Sequence, residues 1–403
     1  MTTNPTLSKR IIASLNARSE LKQWQDLIGT LLRRLELDPV DRARAEADYK
    51  LLGERLAEKL SIPLHDVHIY PQGSMRTQTT ISQRYPVNFD LDLVVRLSGP
   101  KYDSPNPEIM FQAFGKALEG HESVTGTPEA KRRCWRLPYP GKPYYFDLTP
   151  AVRDQTGRPG SSLSVRDPDT RWAASNPEEF ADWFCTHADF RFPFQVAMRK
   201  MAMEARSDVT PLPSEEVGLD DILRRTVQLM KLHRDTHYWG AEEEKKEVMP
   251  ISVIIVTLAT WAYADLLRHR SNEFTSPIEV VLALVEAMPK YIGGNASQWR
   301  VENPKLPSEN FADKWNSDDG ARHAEFMSWH GRLERDLEAL LHQSNRAPSE
   351  DKIRSVFGPA GLEAWKASRP KANVLDGLIG SGSGFTNTNP QTPVRTGSSN
   401  TLG

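Results

Sequence analysis

The pattern of apolar and polar positions changes period twice along the chain. In the first sixty residues it is helical. Residues 20–37 place Leu21, Trp24, Leu27, Ile28, Leu31 and Leu32 on one broad face, and residues 41–60 repeat the period through Tyr49, Leu52, Leu56 and Leu60. The period then shortens. Val67-His68-Ile69-Tyr70 alternates like a strand, and Pro71-Gln72-Gly73-Ser74 stops it. Residues 88–97 (NFDLDLVVRL) read as the next strand, apolar and β-branched apart from two carboxylates. A polar loop over 98–107 leads to a helix over 109–118. Residues 133–137 and 144–148 flank Pro140-Gly141 as a hairpin. From about residue 176 the pattern turns helical again, with helices predicted over 178–205, 219–237, 250–268, 277–291 and 319–342. Asn303-Pro304 and Leu306-Pro307 read as turns. After Gly380 only small polar residues follow, too poor in apolar surface to order themselves. No internal repeat is visible.

Composition narrows the class. A chain of 403 residues exceeds one small core and suggests packed domains. The longest apolar run, 251–267, is broken by Ser252, Thr257, Thr260 and Asp265, so it predicts a buried helix rather than a membrane span of roughly 20 apolar residues. The opening MTTNPTLSKRII lacks the apolar core of a secretory signal, and two cysteines, Cys134 and Cys185, make no disulfide framework or zinc ribbon. A reduced, cytoplasmic setting is the expectation. The net charge of −2 argues against a main task of gripping nucleic acid and favours small-molecule substrates.

The candidate chemistry sits in the first half. Residues two apart on a strand share a face, so Asp90 and Asp92 project side by side. Two carboxylates so close repel each other, and a divalent cation removes the conflict. Asp147, in Tyr145-Phe146-Asp147-Leu148, offers a third carboxylate from another strand. Three such groups can hold two magnesium or manganese ions about 3.5–4 Å apart, as nucleotidyl transfer requires. Gly73 lets the backbone approach a phosphate, with Ser74 as a further donor and Gln72 beside it. A lone Asp-x-Asp is usually a solvated strand edge, and a lone Gly-Ser is usually a turn. Their combination with a distal Asp is far more specific.

This combination resembles the nucleotidyltransferase fold of the DNA polymerase β superfamily. Further segments resemble its bacterial CD-NTase branch and the oligoadenylate synthases. The helix around TVQLMKLHRD places Lys231 where that family carries a phosphate-contacting lysine, and Met249-Pro250-Ile251-Ser252 resembles a Pro-x-Ser helix entry whose serine reaches the triphosphate. Taken singly, Lys231 could equally be a solvated helix residue and Ser252 a helix cap. Residues 167–184 and 303–315 also resemble family segments, although Glu302-Asn303 stands where an Asp is usual. His233 and His237 have a spacing that metal ligands can use, but no third ligand matches, and a surface position is expected. Trp172, Trp183 and Trp315 are expected to pack rather than stack on bases.

The resemblance implies an α+β architecture in which a polymerase β-like core with a mixed sheet packs on a C-terminal helical domain. The expected division is N-terminal helices on the core over 1–60, catalytic core over 61–165, helical domain over 166–370 and flexible tail over 371–403. It implies synthesis of a cyclic di- or trinucleotide from nucleoside triphosphates, ATP or GTP first among them, in CBASS antiphage defence. It also implies a ubiquitin-activating/conjugating-like fusion enzyme as partner, with Gly403 as the conjugated residue, although many tails end in glycine by chance. Two other readings share these residues. One is a linear oligonucleotide synthase or a transferase acting on RNA or a small molecule; the other is an inactive nucleotide-binding scaffold.

Overall fold

Strand pairing begins at the segment that carries the Asp-x-Asp pattern. The computed structural model describes residues 6–17, 21–81, 89–120, 126–154, 160–196, 221–295, 298–341 and 349–368. Helices α1 (Leu7–Ala17), α2 (Leu21–Arg33) and α3 (Pro39–Leu60) come first, the last capped by the Asp38 carboxylate on the Val40 N–H. Strand β1 (Val67–Pro71) runs into the short helix α4 (Gly73–Thr77). Next come β2 (Phe89–Leu97) and α5 (Pro107–Leu118), the latter capped by Asn106. Strands β3 (Glu129–Ala130), β4 (Trp135–Pro138), β5 (Tyr144–Arg153), β6 (Leu163–Asp167) and β7 (Arg171–Ser175) complete a seven-stranded sheet. Its order is β1-β2-β5-β4-β3, with β6 on β5 and β7 on β6.

The sheet is mixed. β2 lies parallel to β5 and antiparallel to β1, while β4 and β5 form the hairpin predicted around Pro140-Gly141. The parallel pair puts Asp92 directly opposite Asp147. Both strands are buried along most of their length, as the apolar run between the carboxylates requires.

The rest is largely helical: α6 (Pro177–Asp189), α7 (Ile222–His237), α8 (Glu243–Glu247), α9 (Ser252–Arg270), α10 (Pro277–Ala287), α11 (Asp313–Ser317), α12 (Ala321–Leu341) and α13 (Glu350–Ser368). The described chain to Ser368 belongs to one unit with two main apolar cores. One lies under the sheet and takes Leu52, Leu56 and Leu60 from α3; the other lies among the helices and takes Ile11, Leu15, Leu31 and Leu32 from α1 and α2. The N-terminal helices therefore divide between the two cores instead of packing on the sheet alone. No helix among the described residues is long and apolar enough to cross a membrane.

Several expectations need correction. The helix predicted over 178–205 is interrupted after Asp189, because Pro193 disfavours helical backbone at Phe192 and supplies no N–H; the backbone is helical again over 193–196, and residues 197–205 lie outside the described residues. The pair β6–β7 has no counterpart among the predicted elements. Nor have the small two-stranded sheets of Gly293–Asn295 with Gln298–Arg300 and of Glu302–Asn303 with Leu306–Asn310; the turn predicted at Asn303-Pro304 joins the strands of the second, whereas Leu306-Pro307, also predicted as a turn, opens its second strand. The helix predicted over 277–291 ends at Ala287 and tightens into a 3₁₀ turn, Met288–Tyr291, at Pro289. His233 is not at the surface; it is buried, with Nε2 3.2 Å from Asp336 Oδ2, while His237 is exposed. Trp183 and Trp315 are buried and Trp172 packs on the sheet core, as expected of packing residues. The tail, with Gly403, lies outside the described residues.

Candidate active site

Two adjacent strands bring the three carboxylates together. Asp90, Asp92 and Asp147 each offer an oxygen, and all three oxygens lie within 4.8 Å of one another. Burial raises Asp92 to about 8, reinforced by the charges of Asp90 and then Asp147. Asp90 is pushed up to about 6, by burial first and then by Asp147, although its side chain keeps 48% of its exposure. Negative charge is thus concentrated beyond what the protein's own cations neutralise. A set of hard carboxylate oxygens in that condition fits a divalent cation such as Mg²⁺ or Mn²⁺.

The Gly73-Ser74 turn lies against this cluster. Gly73 sits at φ +54°, and a Cβ there would stand 2.6 Å from Asp92 Oδ2. The position needs glycine both for its backbone and for this close approach. The Ser74 hydroxyl accepts a bond from Thr80 Oγ1 at 3.1 Å. Gln72 does not line the cleft: its carboxamide donates to Thr149 Oγ1 at 3.4 Å, and its N–H donates to the Asp92 carbonyl at 2.9 Å. It ties the turn to β2 and β5.

Lys231 and Ser252 come from the helices. A cleft of about 290 Å³ is lined by Gly73, Ser74, Asp90 and Asp92 on the sheet side and by Lys231 and Ser252 on the helical side. Lys231 is buried, not solvated, and its ammonium donates to the Thr79 carbonyl at 3.0 Å. Burial lowers it to about 8, helped by the Arg234 charge and opposed by Asp235, Asp92 and Asp90. Ser252 opens α9 but does not cap it; its hydroxyl accepts a bond from Arg234 Nη1 at 2.9 Å. Arg234 also reaches the Pro250 carbonyl at 3.1 Å, so one guanidinium fixes the whole helix entry.

Some of the site escapes a reading of the sequence. Arg136 on β4 grips Asp147 with two bonds of 2.8 Å. The signal exists: residues 136 and 147 are equidistant from the hairpin turn, and they pair across it. Arg234, Thr79 and Thr80 carry no comparable signal, because their places depend on how helix and sheet meet.

Fold and carboxylate cluster together define a nucleotidyltransferase. Residues 67–150 match the family model for the nucleotidyltransferase domain of cyclic GMP-AMP synthase DncV-like proteins. The chain is 24% identical to a c-di-GMP synthase of Roseivirga ehrenbergii over 379 residues, 93% of each protein. Its fold is similar to that of the Bradyrhizobium diazoefficiens CD-NTase CdnG in complex with GTP. The TM-score is 0.64 at 22% identity, over 85% of this chain and 97% of that one. It is also similar to Vibrio cholerae DncV in its 3'-deoxy GTP bound form, with a TM-score of 0.55 at 16% identity, over 83% and 94%. Residues 67–150 thus match a DncV-like nucleotidyltransferase domain, and the chain is similar along most of its length to a c-di-GMP synthase and, in fold, to CD-NTases.

Proposed function

We propose that this chain condenses nucleoside triphosphates, ATP or GTP, into a cyclic di- or trinucleotide signal in CBASS antiphage defence. The observation that carries the reading is a single cleft with Asp90, Asp92 and the Gly73-Ser74 turn on one wall and Lys231 and Ser252 on the other, with an Asp147 oxygen within 4.8 Å of those of Asp90 and Asp92. Relatives named for c-di-GMP synthesis and for GTP binding support it. In this reading residues 61–165 do the chemistry and residues 166–370 close the cleft.

Asp90, Asp92 and Asp147 would hold two Mg²⁺ or Mn²⁺ ions, which when bound lower the pKa of the acceptor ribose hydroxyl and carry charge on the leaving pyrophosphate. The chain's own groups do the rest. Ser74, Lys231 and Ser252 hold the donor triphosphate, and Asp147 helps to take up the hydroxyl proton. The ribose oxygen bonds to the donor α-phosphorus as the bond to pyrophosphate breaks. A second round on the linear intermediate closes the ring. A cytoplasmic enzyme conjugated through Gly403 by a ubiquitin-activating/conjugating-like partner completes the proposal.

The test uses purified full chain, the four labelled triphosphates and Mg²⁺ or Mn²⁺, followed by phosphatase. A phosphatase-resistant product, absent with Asp90→Ala, is expected. Phosphatase-sensitive product alone would point to linear synthesis, and nucleotide binding without product to a scaffold.

Lys231→Met is expected to raise KM for the triphosphate at least tenfold, because a charge-assisted contact is worth about 1.5–3 kcal/mol. Melting temperature should hold, since the change removes a buried charge. An unchanged KM would take Lys231 out of the triphosphate site.

A further inference from the structure

Arg136 is the cation already in contact with the carboxylate cluster. It reaches across from β4, whose register places it opposite Asp147. Nε donates to Asp147 Oδ1 and Nη2 to Asp147 Oδ2, both at 2.8 Å, and Nη2 lies 3.7 Å from Asp90 Oδ2. The guanidinium lies over the Tyr145 ring, 4.1 Å from its centre. One positive charge therefore touches two of the three carboxylates. Of the cations that line the cleft, Lys231 commits its ammonium to the Thr79 carbonyl, and Arg234 commits its guanidinium to Asp235, the Pro250 carbonyl and Ser252.

We infer that Arg136 is the resident counter-cation of the cluster, and that its charge holds the affinity of the nucleotide-free site for divalent ions low. The inference rests on reading Asp90, Asp92 and Asp147 as metal ligands. A cation at the same oxygens repels an incoming divalent ion and neutralises part of the charge that would attract it. It also stabilises the cluster while no ion is present. The consequence is an order of events: ions are held firmly only when a triphosphate brings further oxygens and negative charge into the cleft. The fork geometry is a separate matter. It orients Asp147, and lysine would lose it while keeping the charge.

The test is a Mn²⁺ titration of the full-length protein without nucleotide, read from the paramagnetic resonance signal of free Mn²⁺. Arg136→Gln is expected to bind Mn²⁺ about tenfold more tightly than the wild type. Arg136→Lys is expected to stay within about threefold of it. Asp92→Asn should lose the site and so identifies it. Equal or weaker binding by Arg136→Gln overturns the inference. Should that variant fail to fold, Arg136→Lys decides: weakening of about tenfold or more would assign Arg136 an orienting role through its fork instead. If no chain shows a site that Asp92→Asn removes, the metal-ligand reading fails, an outcome distinct from a site that ignores Arg136.

Discussion

Exchange of Asp92 for asparagine is expected to abolish turnover, by about 10³-fold or more, while raising the melting temperature of the metal-free protein. The two effects have one origin. Asp92 is raised to about 8 by burial and by Asp90 and Asp147, so the folded protein resists ionising it. A carboxylate raised in the folded state, against an ordinary value near 3.9, binds protons that the unfolded chain has released. Metal-free stability therefore falls as pH rises from about 4 to about 8, and asparagine removes that loss. The cleft is open to solvent and the three carboxylates share the repulsion. We therefore expect about 1–2 kcal/mol at pH 8, or roughly 2–4 °C, instead of the full shift converted at 1.36 kcal/mol per unit. Saturating Mn²⁺ should narrow or invert the difference, because the ion stabilises the native wild type. The check is a pair of melting curves in chelator between pH 5 and 8.5. Equal or lower melting of Asp92→Asn across that range would refute this account of the cluster.

Such a trade of stability for chemistry marks the part of the molecule that the sequence makes most legible. Period-two spacing is enough to set Asp90 and Asp92 on one face of β2, and the apolar residues between and after them require a buried strand. That Asp147 sits level with Asp92 is a property of parallel register, which no local pattern encodes. Arg136 lies between these cases, since its place follows from counting back across a hairpin that the sequence announces. The alternation of Leu163, Val165 and Asp167 with Ser164 and Arg166 is equally a strand signal. It is short and follows a Gly/Pro/Ser-rich stretch, and the two alanines of β7 give that strand little β character. His233 shows the limit from the other side. Its i, i+4 relation to His237 suggests a shared helix face, yet only α12 supplies the Asp336 partner that allows it to be buried. Lys231 and Ser252 could be placed on helices but not across from the carboxylates, because that depends on how α7 and α9 meet the sheet.

Gly73 gives the second large effect and separates activity from stability. Gly73→Ala is expected to lower kcat about 10²-fold while costing only about 1–2 kcal/mol of stability. The stability cost comes from placing a side chain at φ +54°. The steric cost is small in free energy, because the atom in the way, Asp92 Oδ2 at 2.6 Å, ends a side chain that can rotate aside. Rotation is what the chemistry does not tolerate: a displacement of about 1 Å at a reacting centre is worth about 10² in rate. Gly141 supplies the control. It sits at φ +79°, and a Cβ there would meet nothing within 4 Å, so Gly141→Ala carries the same backbone cost without touching the carboxylates. Both variants should melt a few degrees below wild type, and only Gly73→Ala should lose turnover. Retention of kcat in Gly73→Ala would mean that Asp92 works equally well from a second rotamer, and that the turn serves the phosphate rather than the carboxylate.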